Sequence, residues 1–112
     1  MTPRSHPGEF EQMVLLAVLR LGADAHALAV LGELDERAGR AVSRGALYKT
    51  LDRLEAKGLV AWDLDHEDVP ERGGHPRRRF RVTPEGVRAV REARAAFARL
   101  EEGLEGLLRR RA

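Results

Sequence analysis

Arginine is concentrated in one short segment of the chain, and its spacing is suited to phosphate binding. Residues 72–81 contain five arginines and no acid, whereas residues 63–71 contain five acids. In the alternating pattern of a strand, Arg77, Arg79 and Arg81 share one face. Guanidinium groups stay charged and bind phosphate oxygens in a bidentate manner. This face is therefore predicted to bind phosphate groups of a nucleic-acid backbone.

The same arginines have an alternative use in salt bridges within a hairpin. Asp63 and Asp65 alternate with Val60, Trp62 and Leu64 in the preceding segment, which is typical of a half-buried strand. Exposed ion pairs of this kind contribute at most about 1 kcal/mol of stability. Both uses stay open for individual arginines, and the acidic half of the connecting loop has no assigned role.

A second group of candidate contacts lies on a predicted helix of about fourteen residues between Ser43 and Gly58. Its three core leucines share one face, and the residues on the outward face and flanks are suited to DNA. Small residues in the first turn let a backbone approach, and Ser43 with the helix N-terminus offers amide donors to phosphate. The longer side chains that can reach bases or phosphates are Arg44, Tyr48 and Lys49, with Arg53 on a flank.

Two further helices are predicted before this one. Residues 9–21 place apolar side chains three and four positions apart and end at Gly22. Asp24 is predicted to cap a second helix that ends at about Ala38. Residues 1–8 contain two prolines and a glycine without periodicity, which predicts a flexible arm.

Three helices followed by a hairpin are typical of a winged helix-turn-helix domain. In that layout the third helix enters the major groove and the hairpin loop contacts the DNA backbone or minor groove. We therefore expect a mainly α fold with a small β-hairpin, and we assign residues 9–83 to a DNA-binding domain.

The predicted last helix is longer than so small a domain can cover. Thr83 and Pro84 are typical of a helix start, and the pattern continues to about Arg110, roughly 40 Å at 1.5 Å per residue. A coiled-coil seam runs along it, so residues 84–112 are predicted to be a dimerisation helix. The alternative is that the seam folds back on the first helix of the same chain. The predicted dimer interface comprises Phe10, Val14, Val90, Ala93, Phe97, Leu100, Leu104 and Leu107.

Composition argues against several other classes of protein. The chain has no cysteine, which excludes disulfides and thiolate metal sites. No apolar segment approaches the roughly 18 residues of a membrane helix, and the N-terminus lacks a signal-peptide pattern, so we expect a cytoplasmic protein without membrane contact.

Neither an enzyme nor a metal site is predicted. The four histidines are scattered, and no nucleophile, histidine and acid have a spacing suited to catalysis. His66, Glu67, Asp68 and His75 share one loop, but their spacing matches no known ligand pattern, and no metal or cofactor is expected.

Two segments resemble the PadR-like transcriptional regulators. They are SRGALYKTLDRLEAKGLV at residues 43–60 and GGHPRRRFRVTPEGVRAV at residues 73–90, and the resemblance extends over about residues 9–108. It implies a homodimeric winged helix-turn-helix protein, usually a repressor, with a C-terminal helix for dimerisation. It also implies that Ser43, Ala46, Tyr48, Lys49 and Arg53 lie at or near DNA.

The chain departs from the resembled pattern at the start of the second helix. Many PadR-like members have a Gly-Tyr pair where this chain has Ala27 and Leu28, so contacts there are not carried over. The single C-terminal helix resembles the short members, which often sense an aromatic or drug-like effector at the dimer interface. Here only Phe10, Trp62 and Phe97 offer aromatic surface for such a small molecule, and core packing is the alternative for each.

We conclude from the sequence that the chain is a homodimeric regulator that binds double-stranded DNA. Its two recognition helices are expected about one DNA turn apart, roughly 34 Å, so the operator is predicted to be an inverted repeat. The competing hypothesis is a winged-helix module that binds proteins, since a fold does not fix function. Exposed basic residues on the third helix and the hairpin favour DNA.

Overall fold

Three helices, a two-stranded hairpin and two C-terminal helices follow one another in the computed structural model, which describes residues 6–66 and 76–109. The bounds are α1 Glu9–Leu21, α2 Ala27–Ala38, α3 Arg44–Ala56, β1 Val60–Asp65, β2 Arg77–Val82, α4 Pro84–Glu101 and α5 Glu105–Leu108. This order confirms the predicted mainly helical fold with a β-hairpin. Within the described ranges, no helix has the length and apolar character needed to cross a membrane.

The apolar stripes of the first three helices meet in one core, which the hairpin closes. Leu47, Leu51 and Leu54 of α3 are buried, as their spacing predicts. They pack with α1, where Leu15 is fully buried, and with Phe80 of β2. Burial of this leucine face fixes which side of α3 remains in solvent.

The hairpin forms as predicted, but burial alternates only in part: Leu64 is 44% exposed, whereas Asp65, which is bonded to His26, is buried. The strands β1 and β2 are antiparallel, with Val60 opposite Val82 and Trp62 opposite Phe80. On the other face Asp63 lies opposite Arg79. The hairpin tip, residues 67–75, is outside the described residues, and it includes most of the acidic segment and most of the loop that was considered and rejected as a metal site.

The start of α2 differs from the prediction that Asp24 caps it. Residues Gly22–Asp24 form a 3₁₀ turn, and the helix begins at Ala27 after an extended His26. The reason is tertiary: the Phe80 N–H donates to the Ala25 carbonyl at 2.9 Å, and the His26 ring is hydrogen-bonded to a hairpin carboxylate at 2.8 Å. These two bonds hold Ala25 against β2 and His26 against β1.

Residues 6–8 are anchored, which corrects the C-terminal end of the predicted flexible arm at 1–8. Pro7 is buried, and its carbonyl accepts a hydrogen bond from Gln12 Nε2 at 3.2 Å. Lys57 Nζ donates to the His6 carbonyl at 3.3 Å. Burial of the proline ring and these bonds outweigh the weak local propensity of the segment; residues 1–5 are outside the described ranges.

A buried carboxylate joins this N-terminal segment to the end of α3. Glu11 Oε1 accepts hydrogen bonds from Lys57 Nζ at 2.8 Å and from the Gly8 N–H at 3.0 Å, and Oε2 accepts from Arg53 Nε at 3.3 Å. Burial raises the pKa of Glu11, but the bonds from Lys57, Gly8 and Arg53 favour the charged form more strongly and lower the pKa overall. The ionised carboxylate is therefore part of the folded state at neutral pH.

A close backbone approach docks α4 on the start of β1. Thr83 Oγ1 accepts from the Gly86 N–H at 3.0 Å and donates to the Gly58 carbonyl at 2.7 Å. A Cβ at Gly86 would collide with the Leu59 carbonyl oxygen and the Val82 side chain. Only glycine permits this approach, which explains the glycine two residues after the proline.

The C-terminal helix is shorter than predicted. Helix α4 ends at Glu101 instead of about Arg110, so it is about 27 Å long at 1.5 Å per residue. Gly103 has φ +86°, which interrupts the helix before the short α5. Residues 101–109 are exposed in the single chain, so no packing energy offsets the low helix propensity of the two glycines in this segment.

Replacing Gly86 with alanine is expected to destabilise the protein by about 1–3 kcal/mol, because the backbone oxygen of Leu59 cannot move away as a side chain can. The control is Gly32→Ala in α2, where nothing lies within 4 Å of the new Cβ. That change should be neutral or stabilising by up to about 1 kcal/mol. Urea denaturation measures both, and equal stability of the two variants would contradict the close approach.

Replacing Glu11 with glutamine is expected to lower the free energy of unfolding by about 1–2 kcal/mol at pH 7, because two cations lose their charged acceptor. The folded-state pKa is depressed, so this stability is present above the ordinary value of 4.5 and is lost as pH falls through the folded-state pKa. The stabilities of wild type and variant should thus converge once the pH is below the folded-state pKa of Glu11.

The matched control is Glu9→Gln, an exposed acid in the same helical turn. It should change stability by less than about 0.5 kcal/mol at either pH. A difference between Glu11→Gln and wild type that persisted undiminished at low pH would rule out the ionised carboxylate as its source.

Candidate nucleic-acid interface

The first turns of α3 present the predicted contact residues to solvent. Ser43 caps the helix, and its Oγ accepts the Ala46 N–H at 3.0 Å. Arg44, Ala46 and Lys49 are exposed, whereas Tyr48 is half-buried. Because the leucine face is fixed in the core, the orientation of this surface is rigid.

One arginine couples α3 to the hairpin. The Arg78 guanidinium lies 5.1 Å from the ring centre of Tyr48, 4.9 Å from that of Trp62 and 5.5 Å from that of Phe80. Trp62 also donates its Nε1–H to Glu55 Oε1 of α3 at 3.2 Å. The strand alternation placed Arg78 on the face of Phe80, but its contact with Tyr48 depends on tertiary packing that the sequence does not reveal.

The three arginines of the outer hairpin face occupy different environments. Arg79 lies 3.6 Å from Asp63 and 4.0 Å from Asp65, so the internal-pairing alternative describes this residue. Arg81 is exposed. Arg77 is half-buried, and its Nε is a buried donor without a hydrogen-bond partner among the described residues. The face predicted to bind phosphate is therefore partly neutralised at its centre.

Arg53 is also engaged within the chain. Its Nε donates to Glu11, and its Nη2 donates to Thr50 Oγ1 at 3.2 Å. The side chain is nevertheless 56% exposed, so the guanidinium lies at the surface beside Lys49. Its contact with DNA stays a prediction.

The predicted dimer residues divide into buried and exposed sets. Val14, Val90 and Ala93 are at most 5% exposed in the single chain, which differs from the prediction that they face a partner. The first half of the predicted coiled-coil seam packs on α1 of the same chain. The cause is the close contact of Gly86 with Leu59 and Val82, which brings α4 against the core. The half-buried Phe10 lies under Arg40 at 5.3 Å.

The exposed set forms an apolar stripe on the distal half of α4 and α5. Exposure is 77% for Leu100 and 83% for Leu107. On α1 the exposed apolar residues are Leu16 and Leu19, which spacing alone does not single out because this helix is apolar on nearly every side. The exposed stripe comprises Phe97, Leu100, Leu104, Leu107 and Leu108.

The three aromatic residues considered for effector binding also divide into partly buried and exposed positions. Trp62 is half-buried between Arg78 and Glu55, and Phe10 packs against the core. Phe97 is 46% exposed on the apolar stripe, with Arg94 over its ring at 5.4 Å. A small-molecule site at this position stays a prediction. Among residues 6–66 and 76–109, no group of acids and histidines is arranged to hold a metal ion.

Known proteins share both the sequence pattern and the fold. A model of the Transcriptional regulator PadR-like family matches residues 15–92. The transcriptional regulator Rv3488 of Mycobacterium tuberculosis is 39% identical over 101 residues, which cover 88% of this chain and 89% of that protein.

Solved structures agree with the sequence match. A PadR family transcriptional regulator from Eggerthella lenta is 30% identical, with a TM-score of 0.65 and coverage of 92% of this chain and 88% of the other. A PadR-like transcription factor from Bacteroides fragilis is 25% identical, with a TM-score of 0.68 and coverage of 88% of each chain. This chain thus belongs to the PadR-like family of transcriptional regulators, with their winged helix-turn-helix fold and long C-terminal helix, and it is not an enzyme.

Proposed function

We propose that this regulator acts as a homodimeric repressor that binds an inverted-repeat DNA operator. The observation that carries the proposal is the solvent-exposed N-terminal half of α3, which is capped by Ser43 and fixed to the hairpin through Arg78. A rigid helix with exposed donors in its first turns is the element that such folds insert into the major groove.

Base reading is assigned to the first two turns of α3. Arg44 and Lys49 are exposed, and neither has a salt bridge among the described residues. Both side chains can donate to guanine O6 and N7. Gly45 has no side chain and Ala46 has only a methyl group, so the first turn lets the helix backbone come close to the DNA.

Backbone contacts are assigned to the helix N-terminus and to Arg81. The Arg81 side chain is exposed on the hairpin and is independent of the Asp63–Arg79 pair. A contact of this kind fixes position on the duplex but does not distinguish sequences. Arg79 is the weaker candidate, because DNA would have to displace a carboxylate.

Homodimerisation is supported by the apolar stripe of α4 and α5. Isolated exposed apolar residues need no explanation, but the clustering of exposed apolar residues at the end of α4 and in the segment that follows it indicates a covered surface. A second copy provides the same stripe and gives the two-fold symmetry that matches an inverted repeat. Leu16 and Leu19 of α1 are proposed to extend this interface.

Repression and a cytoplasmic location belong to the same proposal. A dimer that occupies an operator without enzymatic activity acts by excluding other proteins from the DNA. The usual repressor role of the PadR-like proteins supports this direction of regulation. The following experiment also tests the competing hypothesis that the chain is a protein-binding module.

Two substitutions separate base reading from backbone binding. Lys49→Ala is expected to weaken binding to the upstream duplex of the gene by about 1–3 kcal/mol and binding to a scrambled duplex much less. Arg81→Ala should weaken both equally and reduce the slope of log affinity against log salt by about one. Fluorescence anisotropy at several salt concentrations measures both effects.

The control for these variants is Arg88→Ala, which removes an exposed arginine from α4 and should leave both affinities unchanged. Failure of the wild type to bind either duplex at low salt would contradict the DNA-binding proposal and favour the protein-binding module. Equal loss on both duplexes for Lys49→Ala would remove its assignment to base reading.

Dimerisation is tested by placing a charge on the exposed stripe. Leu100→Glu is expected to raise the dimer dissociation constant about tenfold or more, because the carboxylate would be buried without a partner. Folding should be unaffected, since Leu100 is 77% exposed in the single chain. Sedimentation equilibrium measures the constant, and circular dichroism checks the fold.

The neighbouring variant Arg99→Glu serves as control, because adjacent helical residues point about 100° apart and Arg99 is exposed. It should leave the dissociation constant within about twofold of wild type. A wild type that stays monomeric at high concentration would contradict the proposed dimer.

A further inference from the structure

A groove runs along one flank of α3, between this helix, α1 and the turn that joins α2 to α3. Its volume is about 360 Å³. Phe10 and Val42, both packed against the core, form its apolar part. Three cations also line it, namely Arg40 of the turn and Lys49 and Arg53 of α3. The cations come from separate elements, so the tertiary fold brings them together.

This groove lies on the side of α3 that is turned away from the hairpin. Tyr48 of α3 contacts Arg78 of β2, whereas Lys49 and Arg53 line the groove. At 3.6 residues per turn, Lys49 and Arg53 point roughly 100° and 140° away from Tyr48 around the helix axis. The exposed face of α3 therefore has the hairpin on one flank and the groove on the other.

A recognition helix in the major groove meets DNA on both of its flanks. An α-helix with its side chains is about 10–12 Å wide, and the major groove is about 12 Å wide. The two phosphodiester backbones that border the major groove therefore lie against the two sides of the helix. Arg81 of the hairpin is proposed to bind one backbone, and the groove beside α3 would face the other. This step rests on the proposed DNA binding.

Arg40 differs from the other arginine of the groove in having no acid partner. Arg53 is paired with Glu11 at 3.3 Å, whereas Arg40 has no salt bridge within 4.0 Å among the described residues. Its guanidinium lies 5.3 Å from the ring centre of Phe10, and its Nη1 donates to Met13 Sδ at 3.6 Å. An aromatic face and a thioether are weak acceptors, so they position the guanidinium and leave its other N–H groups as donors.

We propose that the groove binds the second DNA backbone and that Arg40 is its phosphate contact. A guanidinium group stays charged and matches phosphate oxygens in a bidentate manner. Contacts with Phe10 and Met13 already restrict the side chain, so binding costs less side-chain entropy than it does for a freely moving arginine. The periodic patterns of the sequence do not select Arg40, because it lies just beyond the end of α2.

Replacing Arg40 tests this contact in the full chain, with fluorescence anisotropy on the upstream and scrambled duplexes at several salt concentrations. Arg40→Gln is expected to weaken binding to both duplexes about fivefold at roughly 0.15 M salt, and to reduce the slope of log affinity against log salt by about one. Arg40→Lys keeps the charge, so its slope should equal that of wild type. A slope lowered equally by Arg40→Lys would attribute the effect to packing and would overturn the proposal.

Arg37→Gln is the matched control, because it removes the same charge from the last turn of α2. Arg37 is paired with Glu33 at 2.8 Å, so its affinities should stay within about twofold of wild type with an unchanged slope. Arg53→Gln should weaken binding less than Arg40→Gln does, because Glu11 compensates that charge. Circular dichroism checks that each variant is folded.

The outcomes separate this surface from the proposed function. A wild type that binds neither duplex at low salt would contradict both. If the wild type binds DNA but Arg40→Gln keeps the full salt slope, or Arg37→Gln loses as much affinity as Arg40→Gln, only the surface is overturned. A loss confined to the upstream duplex would indicate a base contact and would also overturn the assignment of Arg40 to phosphate.

Discussion

The structure depends on the packing of α3 against the hairpin, and the Arg78 guanidinium is central to it. Its contacts join Tyr48 of the helix to Trp62 and Phe80 of the strands. A guanidinium tolerates an aromatic environment because it is weakly hydrated and attracted to ring faces. This contact fixes the angle between the two elements that are proposed to meet DNA, so neither can be repositioned without the other.

Charge compensation then determines which cations are available to a ligand. Glu11 binds Lys57 and Arg53 at the C-terminal half of α3, and the hairpin acids bind Arg79 and His26. The N-terminal half of α3 has no such acid partner for Arg44 or Lys49 among the described residues. The whole-chain charge of +2 hides this separation, because affinity for an anion responds to local potential.

The sequence predicted the elements whose pattern is local. Leucine spacing gave the buried face of α3, and strand alternation gave the antiparallel hairpin. The start of α2 could not be predicted, because the Phe80 N–H and the carboxylate of Asp65 hold residues 25 and 26 from another part of the chain. Likewise, Arg78 of β2 contacts the Tyr48 ring of α3, and no spacing rule relates these two residues.

The close approach of the Gly86 backbone to the Leu59 carbonyl oxygen sets the geometry of the proposed dimer. The absence of a side chain at Gly86 brings α4 against Leu59 and Val82, which buries Val90 and Ala93 in the same chain. The apolar stripe consequently begins only at Phe97, beyond the point where the core ends. Because α4 is rigidly attached to the hairpin and the hairpin to α3, a partner bound to this stripe would have its recognition helix at a fixed separation. In the proposed dimer, the docking of α4 would therefore set the spacing of the operator half-sites, although α4 itself contains none of the proposed DNA contacts.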